Sequence, residues 1–255
     1  IKAPEFFSFT TAEGVALNGY MIKPYDFDPS KKYPVIMRVY GGPGSQEAKQ
    51  WYDGFKMMWH QMMAQKGYIT VCVDNRGTAL RGRDFRTSTY GQLGKYETND
   101  QIEAAKWLSK QSFIDGNRIG IWGWSYGGYM AGLCITRGAD VFKAAVSVAP
   151  VTNWKYYDNI YTERYMGTLE TNPNGFDANA PMAYADKLQG KYLLIHGTGD
   201  DNVHFQNSAE WINALIKNNK QFDLMIYPDR NHGVSGGNTR YHLYTLMTNF
   251  WLENL

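Results

Sequence analysis

Gly123-Trp124-Ser125-Tyr126-Gly127-Gly128 is the stretch from which the rest of the chain is read. It follows the short apolar run Arg118-Ile119-Gly120-Ile121-Trp122, which predicts a buried strand, and precedes Tyr129-Met130-Ala131-Gly132-Leu133-Cys134-Ile135, which predicts the start of a helix. A G-x-S-x-G sequence between a strand and a helix is the nucleophile-elbow pattern. The sharp turn holds the serine in a strained backbone conformation and projects its hydroxyl from the edge of the sheet. Gly123 and Gly127 are needed because strand and helix pass too close for a Cβ. The Tyr126 N–H then points toward the space above Ser125 Oγ, which makes half of an oxyanion site.

A serine hydroxyl is a poor nucleophile until a base takes its proton, and the base needs an acid to orient it. Chains built on this elbow carry the three in the order Ser, Asp or Glu, His. Downstream lie Asp200 and Asp201 in His196-Gly-Thr-Gly-Asp-Asp-Asn-Val-His-Phe205, and His232 in Tyr227-Pro-Asp-Arg-Asn-His-Gly233. Both stretches follow apolar runs, Lys191 to Ile195 and Phe222 to Tyr227, at the carboxyl ends of strands where α/β proteins place their chemistry. Of the other histidines, His60 falls on a helix face, His196 at a strand end, His204 beside the acidic loop and His242 on the last helix. Only His232 has the right order and a Gly-containing loop after a strand. The sequence alone does not separate Asp200 from Asp201.

The 255 residues carry a net charge of +2, with no basic stripe and no basic–aromatic interleaving, so a nucleic-acid partner is not expected. No apolar run approaches the roughly 18 residues of a membrane span, and no secretory signal is present. The chain begins at Ile1, which suggests a fragment or processed form. Cys72 and Cys134 both fall in apolar segments and read as buried small hydrophobes, not as a disulfide framework. There is no H-E-x-x-H and no Cys/His cluster at ligand spacing, so neither metal nor cofactor is expected.

Taken in order, Phe6 to Thr10 and Leu17 to Ile22 predict an antiparallel edge hairpin turning at Glu13-Gly14. Tyr25 to Lys32 is a connecting loop, and Tyr33 to Val39 a central strand ending at Tyr40-Gly-Gly-Pro-Gly44. A helix is expected over Trp51 to Gln65, closed by Gly67, then a strand over Tyr68 to Asp74 and a polar loop from Asn75-Arg76-Gly77 to about Lys95. Glu97 to Lys110 predicts an amphipathic helix with Ile102, Ala105 and Leu108 on one face. After the elbow and its helix comes a strand over Phe142 to Val148. Val151 to Asn179, rich in Tyr, Asn and Thr, breaks the pattern and reads as an insertion over the site. Ala180 to Lys187 is a short helix, and later helices are expected at about Phe205 to Lys217 and Asn238 to Leu252. The alternation of strands and helices predicts one α/β domain over residues 1–255, with a mostly parallel sheet and helices on both faces. Asn75-Arg76-Gly77 is not a phosphate loop, because no P-loop pattern follows.

Gly123-Trp-Ser-Tyr-Gly-Gly128, Tyr156-Tyr-Asp-Asn-Ile-Tyr-Thr-Glu-Arg-Tyr-Met-Gly167 and His196-Gly-Thr-Gly-Asp-Asp-Asn-Val-His-Phe205 together resemble the dipeptidyl peptidase IV branch of the prolyl oligopeptidase family, from about Tyr33 to the C-terminus. The resemblance implies an α/β-hydrolase catalytic domain that forms the C-terminal part of a longer chain. It also implies an N-terminal β-propeller, absent here, whose glutamates hold the substrate's free amine. By the same resemblance Asp200 matches the triad carboxylate and Tyr40 the hydroxyl that joins the Tyr126 N–H at the oxyanion. Val151, Trp154, Tyr157, Tyr161, Tyr126 and Val203 match the pocket for the residue before the scissile bond. Asn202 matches a donor to the substrate carbonyl one residue further from the cut, and Arg164 is expected to be structural or to support residues that touch the substrate.

The implied activity is a serine exopeptidase that releases Xaa-Pro, less readily Xaa-Ala, from peptides with a free N-terminus and a penultimate proline. Its rivals are a prolyl tripeptidyl aminopeptidase of the same family and a non-catalytic binding scaffold, against which Ser125 and the full candidate triad argue. The family implies a periplasmic, cell-surface or secreted location. It also often dimerises, partly through the last helix, where Phe250-Trp251-Leu252 fits either such a contact or core packing.

Overall fold

The structure is a computed structural model and describes residues 1–50 and 54–255. Eight strands form one sheet in the order β1-β2-β4-β3-β5-β6-β7-β8. They are β1 (Glu5–Thr10), β2 (Ala16–Ile22), β3 (Tyr33–Val39), β4 (Ile69–Asp74), β5 (Ile114–Trp124), β6 (Ala144–Val148), β7 (Lys191–Gly197) and β8 (Asp223–Tyr227). The expected hairpin is present: β1 pairs antiparallel with β2, which pairs antiparallel with β4, and every later pairing is parallel.

The core follows from side-chain alternation along the strands. Val35, Met37, Ile119, Ile121 and Leu194 pack on one face, against α3 (Lys95–Ser109), α4 (Tyr126–Arg137) and α7 (Gln206–Lys217). Ile36, Trp122, Val146, Leu193 and Ile195 pack on the other, against α1 (Gly54–Gln65) and α8 (Thr239–Asn254). This is the α/β-hydrolase arrangement, with helices on both faces. Cys72 and Cys134 are both buried, as expected. Phe250 and Trp251 are core residues of α8 while Leu252 faces out, so packing accounts for two of those three.

Some elements depart from expectation. The predicted start of the first helix, residues 51–53, lies outside the described residues. The polar loop after β4 holds a short exposed helix, α2 (Arg83–Thr87), with no buried residue and hence no apolar period to reveal it. β5 begins at Ile114, four residues before the apolar run, and its pairing with β3 shifts register there. The insertion contains a 3₁₀ turn over Trp154–Tyr156, α5 (Asn159–Met166) and α6 (Gly175–Ala178).

The buried face of α3 is the largest departure. Ala105 and Leu108 are buried as expected and Ile102 is only half-buried, but Glu97, Thr98, Asp100 and Gln101 are buried as well. Those first turns lie against the end of β4 and meet polar partners there. Gln101 Nε2 donates to the Val73 carbonyl and to Asn75 Oδ1, each at 2.9 Å, and Arg76 pairs with Asp100 at 2.7 Å and with Glu13 at 2.8 Å. Arg76 is therefore a structural cation, which agrees with the rejected phosphate reading.

Candidate active site

The carboxyl ends of β3, β5, β6, β7 and β8 lead directly into Tyr40, Ser125, Val151, Asp200 and His232. A parallel sheet collects such loops along one edge. The strand order also steps from β4 back to β3 and on to β5, so the Tyr40 loop and the elbow emerge side by side.

Ser125 sits at φ 61°, ψ −118°, a conformation that costs energy in any residue but glycine. It is held by its N–H to the Val148 carbonyl (2.8 Å) and by its own carbonyl, which accepts from Tyr129 N–H (3.0 Å). A Cβ on Gly123 would overlap the Gly127 carbonyl, and one on Gly127 would overlap the Val39 carbonyl. The expected crowding of strand and helix is thus met. The loop carrying Tyr40 is tied to the end of β4 by Asn75 Nδ2, which donates to the Gly41 carbonyl at 3.0 Å.

Asp200 and His232 are brought together. Asp200 is 5 % exposed, whereas Asp201 is exposed, which separates the two aspartates. His232 Nδ1 lies 2.7 Å from Asp200 Oδ2. A carboxylate only accepts, so Nδ1 carries the proton and Nε2 keeps a lone pair. The other Asp200 oxygen accepts from the N–H groups of Asn202 (3.0 Å) and Val203 (2.9 Å). Trp124 Nε1 donates to the His232 carbonyl at 2.9 Å, which joins the residue beside Ser125 to the loop of His232.

His196, read from the sequence only as a histidine at a strand end, joins this cluster. It is fully buried, with Nε2 facing Asp200 Oδ2 (3.2 Å) and the Val203 carbonyl (2.9 Å), and Nδ1 facing Ser208 Oγ (2.7 Å). Both Nε2 partners are acceptors, so the proton sits on Nε2 and Ser208 completes the ring's bonding. A signal existed: His196 stands four residues before Asp200 and so can reach it across one turn of loop. Burial alone would raise the Asp200 carboxyl. Hydrogen bonds from His196 and His232, then the electrostatic influence of His232, outweigh it and hold the carboxyl well below the usual carboxylate range. Of the remaining histidines, His60 is buried beside Trp122, His204 is exposed and His242 bonds the Tyr227 hydroxyl at 2.8 Å.

The aromatic box also assembles. Trp154 stacks on Tyr161 (5.6 Å, 23°) and meets Tyr157 edge-on (5.8 Å, 85°) and Tyr126 at a tilt (5.3 Å, 38°). Val151 and Val203 are buried in the same cluster. Tyr161 and Tyr165 stand four apart, a helical spacing that could have revealed α5. Asp158 caps that helix, accepting from Tyr161 N–H at 2.8 Å, and Arg164 is exposed on it. The Tyr157 hydroxyl donates to Asn202 Oδ1 at 2.7 Å, and Asn202 is exposed. Tyr157 and Asn202 also line a cleft of 540 Å³ with Asp158, Asp201 and His204. Tyr40 lies 6.0 Å from Tyr126 between ring centres, and burial, followed by the nearby Glu47 carboxylate, raises its hydroxyl above the ordinary tyrosine value.

The sequence profile described as the prolyl oligopeptidase family matches residues 54–255. Among individual relatives, mouse prolyl endopeptidase FAP is 47 % identical over 234 residues, which is 90 % of this chain and 30 % of the relative. Cat dipeptidyl peptidase 4 is 44 % identical over the same span and shares. The crystal structure of Porphyromonas gingivalis dipeptidyl peptidase 4 superposes with a TM-score of 0.96 at 46 % identity, covering 99 % of this chain and 35 % of that one. The chain thus spans about a third of the length of the relatives it matches.

Proposed function

The chain belongs to the prolyl oligopeptidase family, as a dipeptidyl peptidase IV-like domain, and on that premise we propose that it is the catalytic domain of a serine exopeptidase releasing N-terminal Xaa-Pro, less readily Xaa-Ala, dipeptides. The observation that carries this is the 2.7 Å bond from His232 Nδ1 to Asp200, together with the 2.9 Å bond that ties His232 to the elbow.

In this reading His232 Nε2 takes the Ser125 proton as Oγ attacks the carbonyl carbon. The Tyr126 N–H and the Tyr40 hydroxyl hold the oxyanion. His232 then returns the proton to the leaving amine, and water releases the dipeptide from the acyl-enzyme by the reverse steps. A proline ring is rigid, apolar and has no N–H to satisfy, which suits the box of Val151, Trp154, Tyr157, Tyr161, Tyr126 and Val203. The Asn202 amide faces the carbonyl one residue back. Because the oxyanion exists only at the barrier, Tyr40→Phe should lower kcat by roughly 10²-fold with little change in KM. An unchanged kcat removes Tyr40 from the oxyanion site.

The remainder of the full-length protein, which the resemblance describes as a β-propeller, would recognise the free amine. The deciding comparison uses that full-length chain with Ser125→Ala as the blank, on Gly-Pro-anilide, Ala-Ala-Pro-anilide and N-acetyl-Gly-Pro-anilide. Preference for the free dipeptide supports the reading, and preference for the tripeptide moves it to tripeptidyl release. The 47 % identity to a protein named as a prolyl endopeptidase favours a second reading, cleavage within chains. Equal turnover of the acetylated substrate would select it. No fluorophosphonate adduct on Ser125 would instead leave a binding scaffold.

A further inference from the structure

Glu97 lies near the start of α3 and is fully buried, and its Oε1 accepts from the Tyr126 hydroxyl at 2.6 Å. Its other oxygen, Oε2, is buried without a hydrogen-bond partner. Taking a carboxyl out of water costs several kcal/mol, of order 1–3 for each unmet bond. The Tyr126 hydroxyl and the backbone N–H groups of Gly94 and Glu97 offset only part of that cost, since burial still raises the carboxyl above its ordinary value. We propose that Glu97 is a positioning residue that fixes the Tyr126 ring as a wall of the pocket and so sets the preference for proline over smaller residues before the cut. This rests on the function proposed above.

Tyr126 has two parts with separate anchors. Its backbone opens α4 and is set by the elbow, through the bonds of Ser125 and the glycine crossings. Its ring is packed among Tyr40 (6.0 Å), Trp154 (5.3 Å) and Tyr129 (5.5 Å), contacts that are not hydrogen bonds. The hydroxyl bond to Glu97 adds a directional anchor to that packing. The neighbouring Tyr129 has an equivalent anchor, its hydroxyl lying 2.8 Å from the Leu93 carbonyl and 2.7 Å from that of Asn179. Among the described residues, Glu97 is the side chain that bonds the Tyr126 hydroxyl. Loss of the bond therefore loosens the ring while leaving the N–H at the oxyanion in place. A loosened wall costs most for a side chain that fills the pocket, and it acts on substrate and transition state alike, which shows in KM and not in kcat.

The experiment compares Glu97→Leu, Glu97→Gln and Tyr126→Phe in the full-length chain, on Gly-Pro- and Gly-Ala-anilide, with fluorophosphonate labelling of Ser125 as a second readout. One lost hydrogen bond is worth about a factor of ten. Glu97→Leu should raise KM for the proline substrate by roughly that factor, keep kcat within about threefold and cut the Pro/Ala ratio of kcat/KM by about five- to tenfold. Its labelling rate should stay near wild type, and Glu97→Gln, which keeps an acceptor, should recover most of the ratio. A Glu97→Leu chain that labels normally with an unchanged Pro/Ala ratio overturns the proposal, as does a Gln variant as impaired as Leu. Should Glu97→Leu not fold, Tyr126→Phe removes the same bond from its other end, and a wild-type ratio there overturns it too. If the wild-type chain itself gives no Ser125 label, the underlying reading fails and this proposal with it.

Discussion

Asp200 and Asp201 are neighbours with opposite surroundings: one is buried among two imidazoles and two backbone N–H groups, the other is exposed. Asp200→Asn replaces an acceptor of the His232 proton by an amide that can present a donor, which favours the wrong tautomer. The expected loss in kcat is roughly 10⁴-fold, whereas Asp201→Asn should fall within a few tenths of a kcal/mol of wild type in both activity and stability. Parallel steady-state kinetics check both. The sequence left this pair unresolved because a loop has no period to say which side chain turns inward. The same gap hid His196 and Glu97, whose burial depends on partners far away in the chain. The placement of Ser125 and His232 in loops at the carboxyl ends of strands was legible, because both follow apolar runs in the sequence.

At the level of elements, the crossing of β5 and α4 decides what the chain tolerates. Gly127→Ala would drive a methyl into the Val39 carbonyl, with backbone on both sides. This should cost more than about 3 kcal/mol and leave little folded protein, seen as lost expression or a Tm lowered by several degrees. Gly132→Ala, further along α4, meets Pro181 Cβ at 3.6 Å and the Tyr192 hydroxyl at 3.7 Å, both ordinary contacts. There the gain in helix propensity should raise stability by roughly 0.5–1 kcal/mol. Opposite signs for two substitutions five residues apart test whether close approach, and not helix position, explains the elbow glycines. Elements carrying a strong apolar period were readable to within a few residues. α2 was not, because it carries a single apolar residue, Phe85, and the buried start of α3 was not, because its inward face is acidic and amidic and is bonded in part by the loop after β4.

For the molecule as a whole, two carboxyls give the stability curve opposite slopes. Asp200 is held below the ordinary value of about 3.9, so near that pH the unfolded chain binds more protons than the folded one. Its contribution is present above that value and is lost as the pH falls through the lower folded one. Burial, opposed by the Tyr126 hydrogen bond, raises Glu97 to about 7. Between about pH 4.3 and that value the folded chain keeps a proton the unfolded chain has released, so this contribution is present at low pH and lost as the pH rises. Glu97→Gln should remove the decline between about pH 5 and 7, visible as a flatter curve of urea midpoint against pH; an identical slope in the variant contradicts it. A different consequence follows from β8, which pairs with β7 alone and leaves Leu224 and Ile226 partly open to water. Strand ends with one neighbour fray before the sheet's interior melts, and His232 hangs from this one. In rising denaturant, turnover should therefore disappear while the helical signal is still intact, so that activity acts as an early alarm for the loosening of the sheet's last seam.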